Sequence, residues 1–360
     1  MQSPEAEASF RRVFGKTAGQ AEMFANRLVK RRRHLSKWAR RSGAGAYLLY
    51  DRDIPEVPLR VEYYPDLSAS GRAGRGALSL SLYRRPYYKA GADEDAWLAA
   101  MKTAAAERLG LDTADIFFRL RERQRNGARY GRAADTRALR EVCEYGLRYR
   151  VNLSDYLDTG LFLDRRLFRA LVRSAAAGRR VLNLFCYTGS VSVAAADGGA
   201  AAVDSVDISN TYLDWARENF ALNGLYPLPA APGQDEGPFR FIRADALRFV
   251  EQRVGETWDI IILDPPAFSN SQKMAVDFDL RRDHPALISR CLKLLEPDGT
   301  LYFSANSKGF AINRDALPAA LDLENITEKL RDEDYRGKRI PEAYRISPRT
   351  NTELSKQKFA

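Results

Sequence analysis

From Arg179 to Ser304 the chain alternates short apolar runs with amphipathic stretches, and this alternation restricts the fold more than any other feature. Strands are expected over Arg179–Leu184, Ala201–Asp207, Phe239–Arg243, Trp258–Leu263 and Thr300–Ser304. Helices are expected over Ser190–Asp197, Asn210–Leu222, Ala246–Val254 and Arg282–Leu295. Strand–helix alternation produces a parallel sheet covered on both faces, a doubly wound α/β fold. Ligands of such sheets sit beyond the carboxyl ends of the strands, near the point where strand order reverses. Chemistry-bearing residues are therefore sought just after each strand.

The first 150 residues follow a different pattern. Gly19 to Ser42 reads as a helix, with Phe24, Leu28, Leu35 and Trp38 on one face. A small α+β domain is expected to follow. Leu59, Val61 and Tyr63 alternate with polar residues, as do Leu78, Leu80 and Leu82. Asp93–Leu109 reads as a helix, Ile116–Arg123 as a strand, and Leu139–Val151 as strands broken near Gly146. Lys and Arg outnumber Asp and Glu by 30 to 18 before residue 151, against 27 to 29 afterwards. This asymmetry suits a polyanionic partner, most simply nucleic acid, with solubility as the plain alternative. Arg27, Arg31, Arg33, Arg40 and Arg41, then Arg121, Arg123 and Arg125, are the candidate phosphate ligands. The expected domains are 1–152, basic and RNA-binding, and 153–360, catalytic.

The segment MQSPEAEASFRRVFGK has no apolar core, and no run reaches about 18 apolar residues, so neither a signal peptide nor a membrane span is expected. Cys143, Cys186 and Cys291 are few and scattered, which points to a reducing, cytoplasmic setting rather than a disulfide framework. The two histidines, His34 and His284, stand near no cysteine pair, so no metal site is expected.

After the first expected strand of the alternating half comes Asn183-Leu184-Phe185-Cys186-Tyr187-Thr188-Gly189-Ser190. Gly189 would let the backbone pass close to a ligand. The second strand ends in Asp207, placed to accept hydrogen bonds from both hydroxyls of an adenosine ribose, with Ile208 beside it. Asp245 and Ala246 follow the third strand, where the carboxylate could meet an adenine amino group. Helix capping is the competing role for both acids. A dinucleotide would want several glycines for its pyrophosphate. This loop has one, with bulky Phe185 and Tyr187 where others would be, and better suits a nucleoside bearing an amino-acid tail.

The fourth strand ends in Asp264-Pro265-Pro266-Ala267-Phe268. The prolines stiffen the turn, and Phe268 could stack on an extruded base or pack in the core. Asp-Pro-Pro followed by an aromatic is the arrangement used on planar nitrogen acceptors. Methylating carbon 5 of cytosine needs a thiolate, and the stretch after the fifth strand, Phe303-Ser304-Ala305-Asn306-Ser307, has none.

From Asn152 the sequence resembles the bacterial 23S rRNA (guanine-N7)-methyltransferases, often the C-terminal half of a bifunctional guanine-N2/guanine-N7 enzyme. The likeness rests on Asn152-Leu153-Ser154-Asp155-Tyr156-Leu157-Asp158-Thr159-Gly160-Leu161-Phe162-Leu163-Asp164, on the Asn183 loop, and on Asp264-Pro265-Pro266 with Phe268-Ser269-Asn270-Ser271. Arg282-Asp283-His284 and Lys308-Gly309-Phe310 also fit, and Ala25-Asn26-Arg27-Leu28 with Lys37-Trp38-Ala39-Arg40-Arg41 extends it to the first helix. The resemblance implies a class I methyltransferase, Rossmann-like sheet and S-adenosyl-L-methionine as cofactor. It would place Phe162, Asp164, Asn183, Phe185, Tyr187, Thr188, Gly189, Asp207, Ile208, Asp245, Ala246 and Asp264 around that cofactor. Asp264, Pro265, Pro266, Phe268 and Asn270 would face the acceptor, with His284 near that loop or capping the helix that Pro285 begins. Cys186 and Ala267 stand where relatives are expected to carry Ser and Thr. The N2-methylating half is not in this sequence, so the resemblance leaves RNA capture to the basic domain or to a partner in trans.

Guanine N7 has an in-plane lone pair and no hydrogen, so methylating it needs alignment and charge stabilisation but no general base. Asp264 is accordingly expected to position rather than to abstract a proton. An exocyclic amine is the alternative acceptor, and an RNA-binding assembly factor without catalysis the alternative class.

Overall fold

The computed structural model of the chain describes residues 17–67, 73–83, 92–120, 138–225, 237–253, 255–269 and 278–349. By internal packing the chain forms two units, Met1–Gly146 with Arg150–Thr159, and Leu147–Tyr149 with Gly160–Ala360. Where the sequence predicts a single boundary after Asn152, the chain changes unit three times between Gly146 and Gly160. Among the described residues no helix is long and apolar enough to cross a membrane.

The first unit opens with α1 (Thr17–Ser42), whose buried stripe of Phe24, Leu28 and Leu35 follows helical spacing. Strands β1 (Tyr47–Asp51), β2 (Leu59–Leu67), β3 (Ala73–Leu82) and β4 (Ile116–Leu120) form a sheet in that order, with α2 (Ala92–Leu109) between β3 and β4. The β3–β4 pair is parallel, and parallel neighbours require a crossover, which α2 supplies. Trp97 on α2 is buried and donates to Gln20 Oε1 at 2.7 Å, locking α2 to α1. β1 carries no alternation to mark it in the sequence, because all five of its residues are buried. β5 (Leu139–Glu144) and β6 (Leu147–Asn152) form the ribbon expected around Gly146. Arg121, Arg123 and Arg125 lie outside the described residues.

The second unit runs through α3 (Arg166–Ala175), β7 (Arg180–Leu184), α4 (Ser190–Asp197), β8 (Ala202–Asp207), α5 (Asn210–Leu222), β9 (Phe239–Arg243), α6 (Ala246–Gln252) and β10 (Trp258–Leu263). It continues with β11 (Phe268–Ser269), β12 (Phe278–Asp279), α7 (Leu280–Leu292), β13 (Leu295–Ala305), β14 (Leu321–Asn325) and β15 (Glu342–Pro348). The sheet order is β14-β15-β13-β10-β7-β8-β9. β13, β10, β7, β8 and β9 are parallel, and β15 lies antiparallel to both β13 and β14. The order reverses at β7: the chain leaves through β8 and β9, then returns to β10 on the other side. The crevice between the β7 and β10 ends is therefore where a ligand is expected.

Several elements differ from the sequence expectation. α3 is hidden in the sequence because its inner face carries Arg166 and Arg169, which disguise an otherwise regular stripe with Phe168 and Val172. Arg166 is fully buried against Asp332 and Asp334, at 2.8 and 3.1 Å. α7 begins at Leu280 rather than Arg282, with Asp279 capping the N–H groups of Arg281 and Arg282, and ends at Leu292. Finally, β14 and β15, short strands with no counterpart among the expected elements, complete the sheet beyond β13.

Candidate active site

The site-bearing residues sit at the carboxyl ends of the central strands. Leu184, the last residue of β7, pairs with Val206 on β8 and with Leu263 on β10. Asp207 and Asp264 each come one residue after those partners. Neighbouring strands lie about 4.8 Å apart, so the two carboxylates emerge roughly 10 Å apart with the β7 loop between them. Asp207 pairs with Arg243 on β9, and Asp245 follows two residues later.

The β7 loop turns sharply. Phe185 and Tyr187 both have positive φ, at 58° and 54°, and Gly189 has φ of 68°. Such values are uncommon for bulky residues and mark a loop held by its surroundings. So the two aromatics do not simply occupy glycine positions; they adopt the left-handed backbone a glycine would. The loop is held from three sides. Thr188 Oγ1 donates to Gly160 O at 2.6 Å, Asn219 Nδ2 donates to Thr188 O at 2.8 Å, and Cys186 N donates to Val206 O at 3.0 Å. The Tyr187 ring lies between Phe162 at 5.1 Å and Tyr212 at 4.5 Å.

Gly189 meets a packing demand in addition to the ligand approach expected of it. A Cβ there would fall 2.6 Å from the Ala216 Cβ of α5. Close packing of α4 on α5, together with the left-handed φ, favours the glycine independently of any ligand. Gly160 is alike: at φ of 90°, a Cβ would meet the Trp215 ring at 2.2 Å. Asn152–Thr159 meanwhile folds on itself, with Asn152 Oδ1 accepting from Ser154 N and Asp155 N. The sequence motif 152–164 thus does two jobs: a self-bonded turn in the first unit, then Gly160–Asp164 against the β7 loop in the second.

Asp207 accepts from Tyr187 N through Oδ2 at 3.0 Å and from Ser209 N through Oδ1 at 2.9 Å. Burial nevertheless outweighs these bonds and pushes its carboxyl up to about 6. A backbone bond from Ile208 also reaches it, yet a carboxylate has about four lone-pair sites, so the hydroxyls of a ribose could still donate to it. A buried strand-end acid with acceptor capacity left is the observation by which the chain fits an adenosine-bearing cofactor. Asp245 caps α6, accepting from Leu247 N at 2.9 Å through Oδ1, so the capping role weighed in the sequence is real; Ile208 is half-buried between the two acids in sequence.

Several expected cofactor residues have buried side chains. Asn183 is buried and donates to Ser192 Oγ at 2.9 Å. The Thr188 side chain and Ala246 are also buried. Asp164 is half-buried in a short 3₁₀ turn, Leu163–Arg165. Phe162, by contrast, is 40% exposed, and Phe268 is 47% exposed rather than packed in the core. β11 pairs Phe268 with Asp279 of β12, anchoring the strip that follows Pro265 and Pro266. Asn270 and Ser271 lie outside the described residues.

Two features correct the sequence reading of the acceptor side. His284 is 2% exposed and belongs to the core. Its Nδ1 donates to Leu280 O at 2.9 Å and Arg281 O at 3.1 Å, while Nε2 accepts from Asn313 N at 2.9 Å. Pro285 sits inside α7 without an N–H for Arg281 O, and the neighbouring imidazole supplies the missing donor. Burial lowers the His284 pKa, holding it neutral. The second feature is Arg165, which no sequence motif singles out. It is 6% exposed, and its Nη2 meets Asp264 Oδ1 at 2.6 Å. No thiolate is available either: burial raises Cys186 well above the usual range and Cys291 to about 12.

The reversed sheet order, the loop turned after β7, the buried acid ending β8 and Asp-Pro-Pro just after β10 fit an S-adenosylmethionine-dependent methyltransferase, and the chain's relatives show that class. The family model of S-adenosylmethionine-dependent methyltransferases matches residues 66–327. The ribosomal RNA large subunit methyltransferase K of Neisseria meningitidis is 41% identical over 90% of this chain and 86% of its own length. The methyltransferase K/L of Shewanella loihica is 40% identical over 89% of this chain, which spans only 43% of that longer protein. A putative methyltransferase solved with SAH shares the fold, with TM-score 0.68 and 22% identity over 91% of this chain and 81% of that one. The chain belongs to the ribosomal RNA large subunit methyltransferase K family.

Proposed function

We propose that the protein methylates N7 of a guanine in 23S ribosomal RNA, in the cytoplasm, on RNA not yet enclosed in a finished subunit. The relatives' names support the RNA class. The Arg165–Asp264 pair supports the atom. Asp264 is pinned through Oδ1 by a guanidinium at 2.6 Å, which suits a carboxylate that orients the acceptor. Among the described residues, His284 and the buried thiols offer no substitute base. An acceptor that needs none fits this site best.

S-adenosylmethionine, when bound, supplies an electrophilic methyl group. Asp207 would hold its ribose and Asp245 its adenine, with Phe162 and Tyr187 walling the pocket. Pro265 and Pro266 fix the backbone that presents Asp264. Phe268, exposed at the end of that strip, would stack on the guanine. The major-groove edge carrying N7 is inaccessible in an A-form helix, so the base must be unpaired or extruded. Purified protein is offered naked 23S rRNA, a precursor particle and mature subunits, and the product is cleaved with borohydride and aniline, selective for N7-methylguanosine. Cleavage at one guanine, strongest on the less assembled substrates, is expected. Methylation without cleavage would favour an exocyclic amine, and mature subunits as the best substrate would overturn the assembly reading.

RNA capture is proposed for α1, on a narrower surface than the sequence suggests. Arg27 bonds Asp53 at 2.7 Å and Arg31 donates to Leu49 O at 3.2 Å, both half-buried. Lys30, Arg33, Lys37, Arg40 and Arg41 are exposed, and their spacing of three, four, three and one puts them along one side. His34, Lys37, Arg40 and Arg41 line an open depression there. The stripe is about 16 Å long at 1.5 Å per residue. Changing these five cations to Ala should weaken RNA binding and lower the salt slope by roughly 0.7–0.9 for each phosphate no longer neutralised. An unchanged slope would move the RNA surface elsewhere.

A further inference from the structure

We propose that Arg165 is a positioning residue for methyl transfer, acting through Asp264; this rests on the reading of Asp264 given above. The two prolines after Asp264 fix its backbone but leave the rotation of its side chain open. Arg165 closes that freedom. Its Nη2 meets Asp264 Oδ1 at 2.6 Å, with the arginine side chain 7% exposed and the carboxylate 29% exposed. A guanidinium this deeply buried demands a counter-charge, so the pair is mutually enforced: Arg165 has its charge matched, and Asp264 keeps one orientation. The pair also directs roles. Arg165 meets Asp264 at Oδ1, which leaves Oδ2 the freer oxygen to face the acceptor base.

The base of Arg165 is itself rigid. Its backbone N–H donates to Phe162 O at 3.2 Å within the 3₁₀ turn. The next residue, Arg166, is fully buried against Asp332 and Asp334. One helical turn on, Arg169 Nη1 donates to the same Phe162 O at 2.9 Å and its guanidinium lies over the Tyr149 ring at 5.6 Å. Three arginines within five residues thus have three separate anchors, and only Arg165 reaches the strip that bears the acceptor site. Phe162, on the cofactor side, and Asp264, on the acceptor side, are joined through this one short segment. A shift of either would be passed to the other.

The test compares Arg165→Met, Arg165→Lys, Arg165→Ala and Asp264→Asn in the full chain, measuring kcat at saturating S-adenosylmethionine and RNA, cofactor Kd by calorimetry, and melting. Arg165→Met should lower kcat roughly a hundredfold, the cost of a misplacement near 1 Å, while cofactor Kd changes less than about threefold. Arg165→Lys should recover part of the loss, and Arg165→Ala should regain activity on adding guanidinium below denaturing concentration. A merely structural arginine would lose Kd, kcat and melting together, with no recovery by Lys or guanidinium, and that result would overturn the proposal. So would an Arg165→Met enzyme with wild-type kcat while Asp264→Asn is impaired. Wild-type kcat in Asp264→Asn would instead overturn the reading of Asp264 itself.

Discussion

Asp207→Ala should bind S-adenosylmethionine roughly a hundredfold more weakly or worse, since two charge-assisted hydrogen bonds of about 1.5–3 kcal/mol each would be lost. The wild-type protein should also show a distinctive pH dependence. Burial raises the Asp207 carboxyl from an ordinary value of 3.8 to about 6. In the free protein the folded state therefore holds the proton more tightly than the unfolded chain, so this group's contribution to stability falls as pH rises from 3.8 to about 6. The cofactor reverses the preference, because ribose hydroxyls donate best to the ionised form. Affinity should be flat above pH 6 and fall about tenfold per unit below it, with a proton released on binding near pH 6. Asp207→Asn should be weaker and flat throughout. Calorimetry from pH 5 to 8 in buffers of different ionisation enthalpy reads both affinity and proton count. A flat wild-type profile would remove Asp207 from the ribose site.

Gly189→Ala should cost the second unit about 2–5 kcal/mol, combining the left-handed φ penalty of roughly 1–2 kcal/mol with overpacking of about 1–3. The geometry separates two explanations. If helix packing demands the glycine, the collision is with Ala216 Cβ at 2.6 Å, and Ala216→Gly in the same chain should recover part of the stability despite its own cost of about 1 kcal/mol. If ligand approach demands it, Gly189→Ala should cost only the φ penalty of roughly 1–2 kcal/mol while losing cofactor affinity, and Ala216→Gly should recover nothing. Urea unfolding beside cofactor titration for the two single variants and the double variant decides between them. The same reasoning predicts a loss for Gly160→Ala, whose Cβ at φ of 90° would fall 2.2 Å from the buried Trp215 ring.

The residues at strand ends are legible without a structure. Period-two and period-3.6 patterning is local, so β7 to β10 and the helices between them can be read from neighbours in sequence, and the position of Asp207 and Asp264 at strand ends follows from the register of those patterns. Elements whose buried faces carry compensated charge are not legible. α3 looks polar until Asp332 and Asp334, at separations of 166 and 168 residues from Arg166, are seen to neutralise it. β1 has no pattern because both its faces are covered. His284 resembles a site residue because a lone histidine beside a proline has no local signature for repairing a helix; its partner Asn313 is 29 residues further on. Arg165 is one among 57 Lys and Arg residues until the fold brings it to Asp264, 99 residues away. Local periodicity, a property of a few turns of chain, determined the alternating sheet and the acids at its strand ends. Pairing between distant charges depends on which strand ends become neighbours, so the tertiary structure alone decided which arginine serves the site, which glycine serves a helix, and which histidine serves only the core.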